Sequence, residues 1–172
     1  MLLVSILGIP LLGAAALLRL RNRSASIPFI ASSIVLVLGA WGLRGVLGSG
    51  DLTFKLSLSG PFTPSLRADA LSMIFVLTAA FLWWVVSIYA PAYMKEEGRP
   101  SRFAVVSLLT LTAVMGVFLA GDFLTLLLFF ELMTIASYFW VVHRWDKEAD
   151  RAGYFYLFFS ILGGLVVALG LV

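Results

Sequence analysis

The 172-residue chain has no cysteine, a single histidine and very little charge. The first absence excludes disulfides, iron–sulfur ligation and thiolate zinc sites. The second leaves His143 without partners for a metal cage, so no metal is expected. Acidic and basic residues together make up 12% of the chain, about half the roughly 25% of a soluble domain. With 62% hydrophobic residues, a soluble globule of this length would have no surface to present to water. An integral membrane protein is the class that remains. The net charge of +3 is small and confined to short loops. Nucleic acid would need a basic stripe on one face, and there is none. No nucleophile–base pair, phosphate-binding loop, quinone site or haem site is apparent, so neither a catalytic residue nor a cofactor is expected.

Long apolar runs are what the chain has in quantity. They predict an all-α integral membrane fold, one membrane domain over residues 1–172, with helices near 2–20, 28–46, 69–94, 103–120, 122–142 and 153–172. About 20 apolar residues cross the hydrocarbon core. The first run lacks the basic n-region of a signal peptide, and its charges Arg19, Arg21 and Arg23 follow the apolar stretch. It therefore reads as a span. Between the second and third runs, Leu52 to Leu58 alternates apolar and polar, bounded by glycines and prolines. That period of two predicts a short β element or hairpin arm lying on the membrane surface. Pro91 is expected to kink the last turns of the third helix. His143 to Arg151 reads as a charged loop with room for a short helical turn.

Orientation follows from the basic residues. Nine of the 12 fall in alternate loops: Arg19, Arg21 and Arg23, then Lys95, Arg99 and Arg102, then Arg144, Lys147 and Arg151. The other loops hold Arg44, Lys55 and Arg67. This alternation predicts a multi-pass protein of the cell (inner) membrane with both termini outside.

The fifth run, Asp122 to Val142, carries one carboxylate, Glu131, near its middle. A charge at that depth costs a few kcal/mol on insertion scales, and such residues face bundle interiors, partners or ion pathways. Burial raises a carboxylate's pKa and a nearby cation lowers it, so a group between the two changes protonation as its partner moves. No Lys or Arg falls inside a span at that depth. Glu131 is then either protonated or paired by another chain. Thr134 and Tyr138 share its helix face and lead towards the cytoplasm. Asp122 and Asp69 each open a helix, where an N-terminus favours an anion. Capping is the reading for both, with ion access a second role for Asp122. His143 offers a proton relay, against the plainer reading of a solvated loop histidine. In the last helix Ser160, Gly164 and Ala168 recur every four residues, a spacing that lets helices approach closely.

The stretch from Gly116 to Val142, with Asp122 opening the helix, then Phe130-Glu131-Leu132 and Ser137-Tyr138, resembles the fifth helix of the antiporter-like family. That family comprises the large membrane-arm subunits of respiratory complex I, the large subunits of Mrp-type sodium/proton antiporters and relatives in membrane-bound hydrogenases. Ala152 to Gly164 resembles the helix that follows. Asp69-Ala70-Leu71-Ser72 resembles the start of the family's third helix, behind its hairpin arm. The resemblance covers essentially the whole chain. It implies that Glu131 is the family's ion-pair glutamate, responding to a lysine on a seventh helix. Family members continue through that helix into a second, inverted repeat, which these residues lack. The implied function is the N-terminal part of an antiporter-like subunit in a proton- or sodium-translocating complex. Redox cofactors would lie in other subunits, and another hydrophobic chain would supply the lysine. The alternative expectation is a truncated paralogue that serves assembly, docking a neighbour through Ser160, Gly164 and Ala168.

Overall fold

A computed structural model of the chain describes residues 1–19, 26–55, 63–98, 100–143 and 147–170. Six helices account for most of it: α1 (Leu2–Arg19), α2 (Ser26–Ser49), α3 (Ala70–Glu97), α4 (Pro100–Phe118), α5 (Phe123–Val141) and α6 (Lys147–Leu169). Each is long and apolar enough to cross a membrane, so the chain is a multi-pass, all-α membrane protein. Between α2 and α3, strands β1 (Leu52–Lys55) and β2 (Ser65–Ala68) pair antiparallel, with Leu52 opposite Ala68 and Lys55 opposite Ser65. The β element expected from the alternation is present as an antiparallel strand pair. Leu56, Ser57 and Leu58 lie outside the described residues, as do Arg21, Arg23, Arg99 and Arg144 and the side chain of Lys95.

Several boundaries differ from those expected, for local reasons. Helix α4 begins at Pro100 rather than residue 103, because proline suits the first helical position, where its missing N–H has no partner to lose. Helix α2 begins at Ser26, with Pro28 in its first turn. Asp69 and Asp122 stand just outside α3 and α5 as N-caps. Helix α3 runs through Pro91 to Glu97. The largest difference is α6, which starts at Lys147. Most of the expected charged loop is its first turns, where Glu148 and Asp150 complement the positive end of the helix dipole.

The first four helices close a ring: α1 packs on α2 and α4, and α3 also packs on α2 and α4. Ile6, Val35, Met73, Val76, Leu108, Leu111 and Met115 are wholly buried inside it. Lipid cannot satisfy polar groups, so hydroxyls here bond back along their own helices. Thr110 Oγ1 donates to the Val106 carbonyl at 2.9 Å and Ser32 Oγ to the Pro28 carbonyl at 2.8 Å. Trp83 Nε1 crosses from α3 to the Ser107 carbonyl of α4 at 3.0 Å.

Helix α5 packs on the outside of α4, and α6 packs on α5. The α4–α5 contact depends on Gly116, whose missing side chain leaves room for the Phe129 ring. Gly116→Ala puts a methyl into that ring, an overpacking that costs about 1–3 kcal/mol. The expected result is a lowered thermal midpoint in mild detergent, partly restored by adding Phe129→Leu. An unchanged midpoint in the single variant would contradict this packing.

Candidate functional site

The candidate ion-handling residues Asp122, Glu131, Thr134, Tyr138 and His143 lie on α5 and at its two ends. At its start, the α4–α5 turn is stitched to the hairpin. Arg67 N donates to the Leu119 carbonyl and Gly121 N to the Ser65 carbonyl, both at 2.8 Å. The turn thus continues the sheet beyond β2. Gly121 allows this approach, since a Cβ there would lie 2.9 Å from Ser65 Oγ and 3.2 Å from the Arg67 backbone N.

Asp122 completes the joint. Its carboxylate accepts from Thr125 N at 2.8 Å and Thr125 Oγ1 at 2.7 Å. It also accepts from Ser65 N at 2.8 Å and Ser65 Oγ at 2.6 Å. Partial burial pushes this carboxyl up, but the Ser65 and Thr125 hydroxyls and N–H groups outweigh it and hold it down at about 2. Asp122 is therefore a helix cap and a cross-link from α5 to the hairpin. Asp69 caps α3 reciprocally with Ser72, each backbone N–H bonding the other's side chain at 2.8 Å. The Ser72 N–H holds its carboxyl below the usual range. At the hairpin's base, Arg67 pairs with Asp51 at 2.6 Å in the open.

Glu131 lies two to three turns further along α5, roughly 13 Å from Asp122 along the axis at 1.5 Å per residue. It is half-buried, and its Oε1 packs against Gly164 of α6. Thr134 is buried at 4% exposure. Tyr138 is half-buried and fits against Gly153 of α6, where a Cβ would stand 2.8 Å from its Cε2. Glu131 and Tyr138 thus meet the same neighbouring helix through two glycines. Glu131 has no ion pair among the described residues.

At the far end of α5, His143 Nε2 lies 3.4 Å from the Gly98 carbonyl, and its ring meets Phe103 edge-on. Trp140 stacks on Phe103 and tilts against Trp83. His143 is therefore set against the α3–α4 connection, about three turns from Glu131. Ser160 and Ala168 flank Gly164 on α6 and are half-buried. The face read as a docking surface for a neighbour carries, at Gly164, the seat of this chain's own Glu131. Sequence reasoning missed Gly153 and Ser65 altogether. An apolar cleft elsewhere, lined by Pro28, Ser87, Pro91, Phe103 and Ser107 among others, has no titratable side chain on its wall.

A closed four-helix ring, a hairpin fixed to the α4–α5 turn and a carboxylate-bearing α5–α6 pair together make a polytopic membrane fold. Residues 54–104 match the family described as NADH-Ubiquinone oxidoreductase (complex I), chain 5 N-terminus. That stretch covers the end of β1, all of β2 and α3, and the first turn of α4. The chain is 32% identical over 143 residues to a Na(+)/H(+) antiporter subunit of Bacillus subtilis, a match spanning 81% of this chain and 29% of the relative. It is 30% identical over 115 residues to the putative antiporter subunit mnhD2 of Staphylococcus aureus, spanning 66% of this chain and 23% of that one. A chain of the membrane-bound sulfane sulfur reductase (MBS), an archaeal respiratory membrane complex, superposes with a TM-score of 0.80 at 20% identity. That superposition covers 96% of this chain and 35% of the other, and establishes the shared fold. In sequence and in fold, these likenesses are all to the N-terminal part of antiporter-like membrane subunits. The chain spans less than a third of the length of the curated relatives it matches.

Proposed function

We propose that these residues form the first six helices of an ion-translocating subunit in a multi-subunit membrane complex, with Glu131 carrying or sensing the charge. The observation that supports this most is the position of Glu131 in the middle of a spanning helix, half-buried on the α5–α6 seam. An intramembrane carboxylate is expensive and is kept for ion pathways or partners. Tyr138 and Thr134 continue its helix towards His143, a path for protons to the side we assign to the cytoplasm. Asp122 anchors the opposite end. Both termini are then outside. The names of the relatives support sodium or proton as the ion. A cation for Glu131 would come from outside these residues, and other hydrophobic subunits are the expected partners. The test is ion transport by sealed vesicles holding the complete assembly with Glu131→Gln. Loss of transport with normal assembly is expected, and full transport would overturn the proposal.

A second reading has one observation in its favour: Glu131 has no ion pair among the described residues. In that reading the six helices serve assembly alone, and Glu131→Gln is silent.

A further inference from the structure

Residue 164 has no side chain, and Oε1 of Glu131 takes the place where its Cβ would stand. The carboxylate carbon follows at 3.1 Å from that point. Gly164 is buried, although most of α6 around it is exposed. A methyl at 164 and the carboxylate cannot both occupy this space. The group that gives way is the one at the tip of a flexible side chain, since several staggered rotamers are open to a glutamate. The helices need not part.

We propose that Gly164 is a positioning residue for Glu131: its empty Cβ site is the seat that fixes where the carboxylate sits on the α5–α6 seam. The proposal rests on Glu131 being the ion-handling group. It assigns the small residues of α6 a task other than docking a neighbour. The second notch, Gly153, receives Tyr138 and Val142, with a Cβ there 2.5 Å from Val142 Cγ1. Glu131 and Tyr138 are seven residues apart on α5, and Gly164 and Gly153 are eleven apart on α6. Two and three whole turns place both contacts along one seam of an antiparallel pair.

The groups around Glu131 are few. Of the helices packed against α5, α4 carries Arg102 in its first turn as its one charged residue. Helix α6 carries Lys147, Glu148, Asp150 and Arg151 in its first turns, roughly 20–25 Å from Gly164 along the axis. Its tyrosines are Tyr154 and Tyr156, and α5 itself adds Tyr138 about 10 Å away along its axis. No acid or base on α4 or α6 lies level with Glu131, so the seat is what sets its surroundings.

The experiment compares variants of the complete complex in sealed vesicles, reading initial transport rate across a pH series. Gly164→Ala is expected to assemble, to transport about ten-fold more slowly and to show a displaced pH profile. A misplacement of about 1 Å is enough for losses of that size or larger. Gly163→Ala, next door and facing open space, is expected to match the parent. Gly153→Ala disturbs packing but is expected to leave the pH profile in place. Glu131→Asp is expected to be slow alone, and to regain rate in the Gly164→Ala background because its shorter arm clears the methyl. Should Gly164→Ala not assemble, this double variant decides, its recovery supporting the seat and its failure overturning it. Parental rate and pH profile in Gly164→Ala overturn it as well. In that case an inactive Glu131→Gln leaves the role of Glu131 standing, whereas an active one removes that role.

Discussion

Glu131→Gln is expected to bring ion transport across sealed vesicles down by about a hundred-fold or more, with every subunit still present in normal proportion. Proton transfer by a positioned side chain is worth about 10²–10⁴-fold, and an amide cannot ionise to take part. Glutamine nevertheless keeps the length and shape of the side chain, so the space at Gly164 stays filled. A neutral amide is also cheaper to hold in the membrane than a carboxylate, whose charged form costs a few kcal/mol there. The thermal midpoint of the purified complex should therefore stay level or rise. That pairing of outcomes separates transport from scaffolding. Lost transport with retained stability identifies a working carboxylate, and retained transport promotes the assembly reading. A variant that lost both would argue for a carboxylate needed as a hydrogen-bonding or ion-pairing strut.

Much of this architecture is legible because lipid permits so few alternatives. A span must satisfy its backbone internally, so a long apolar run is a helix, and the six runs became α1 to α6. Their ends were less legible, since a polar helical turn looks like a loop. Lys147 to Arg151 is helical in α6, yet its charges conceal it. The alternation at Leu52 to Lys55 disclosed a strand, whereas the pairing of Ser65 and Arg67 with the α4–α5 turn joins residues more than 50 apart. No local pattern reports that. Capping by Asp122 and Asp69 could be read from their place before apolar helices, but the Ser65 bonds to Asp122 could not. Gly164 shows the same limit. Small residues every four positions mark a face where something approaches closely, and the spacing is the same for a neighbouring helix or for a glutamate.

Asp122→Ala is expected to destabilise the hairpin side of the bundle by about 3 kcal/mol. Loss of an N-cap alone costs about 1 kcal/mol, and bonds to a charged acceptor contribute about 1.5–3 kcal/mol each. The Ser65 N–H keeps a fallback acceptor in Thr125 Oγ1 at 3.2 Å, so the total falls short of the sum. Hydrogen exchange should locate the damage. The amides of Arg67 and Gly121, which tie β2 to the α4–α5 turn, should exchange about a hundred-fold faster, since 1.4 kcal/mol is a factor of ten. Those inside the α1–α4 ring should hardly change. Uniform acceleration across the bundle would mean that Asp122 supports the whole fold rather than this joint. Acid supplies an independent check. A carboxyl at about 2 in the folded chain, against 3.8 for an ordinary one, contributes about 2 kcal/mol that is fully present above pH 4. That contribution fades as pH falls through the folded value near 2. Protection of the Arg67 and Gly121 amides should weaken over that window in the parent protein. In Asp122→Ala it should already be weak at neutral pH, and its remaining acid sensitivity should be that of Asp69, whose carboxyl is also held low.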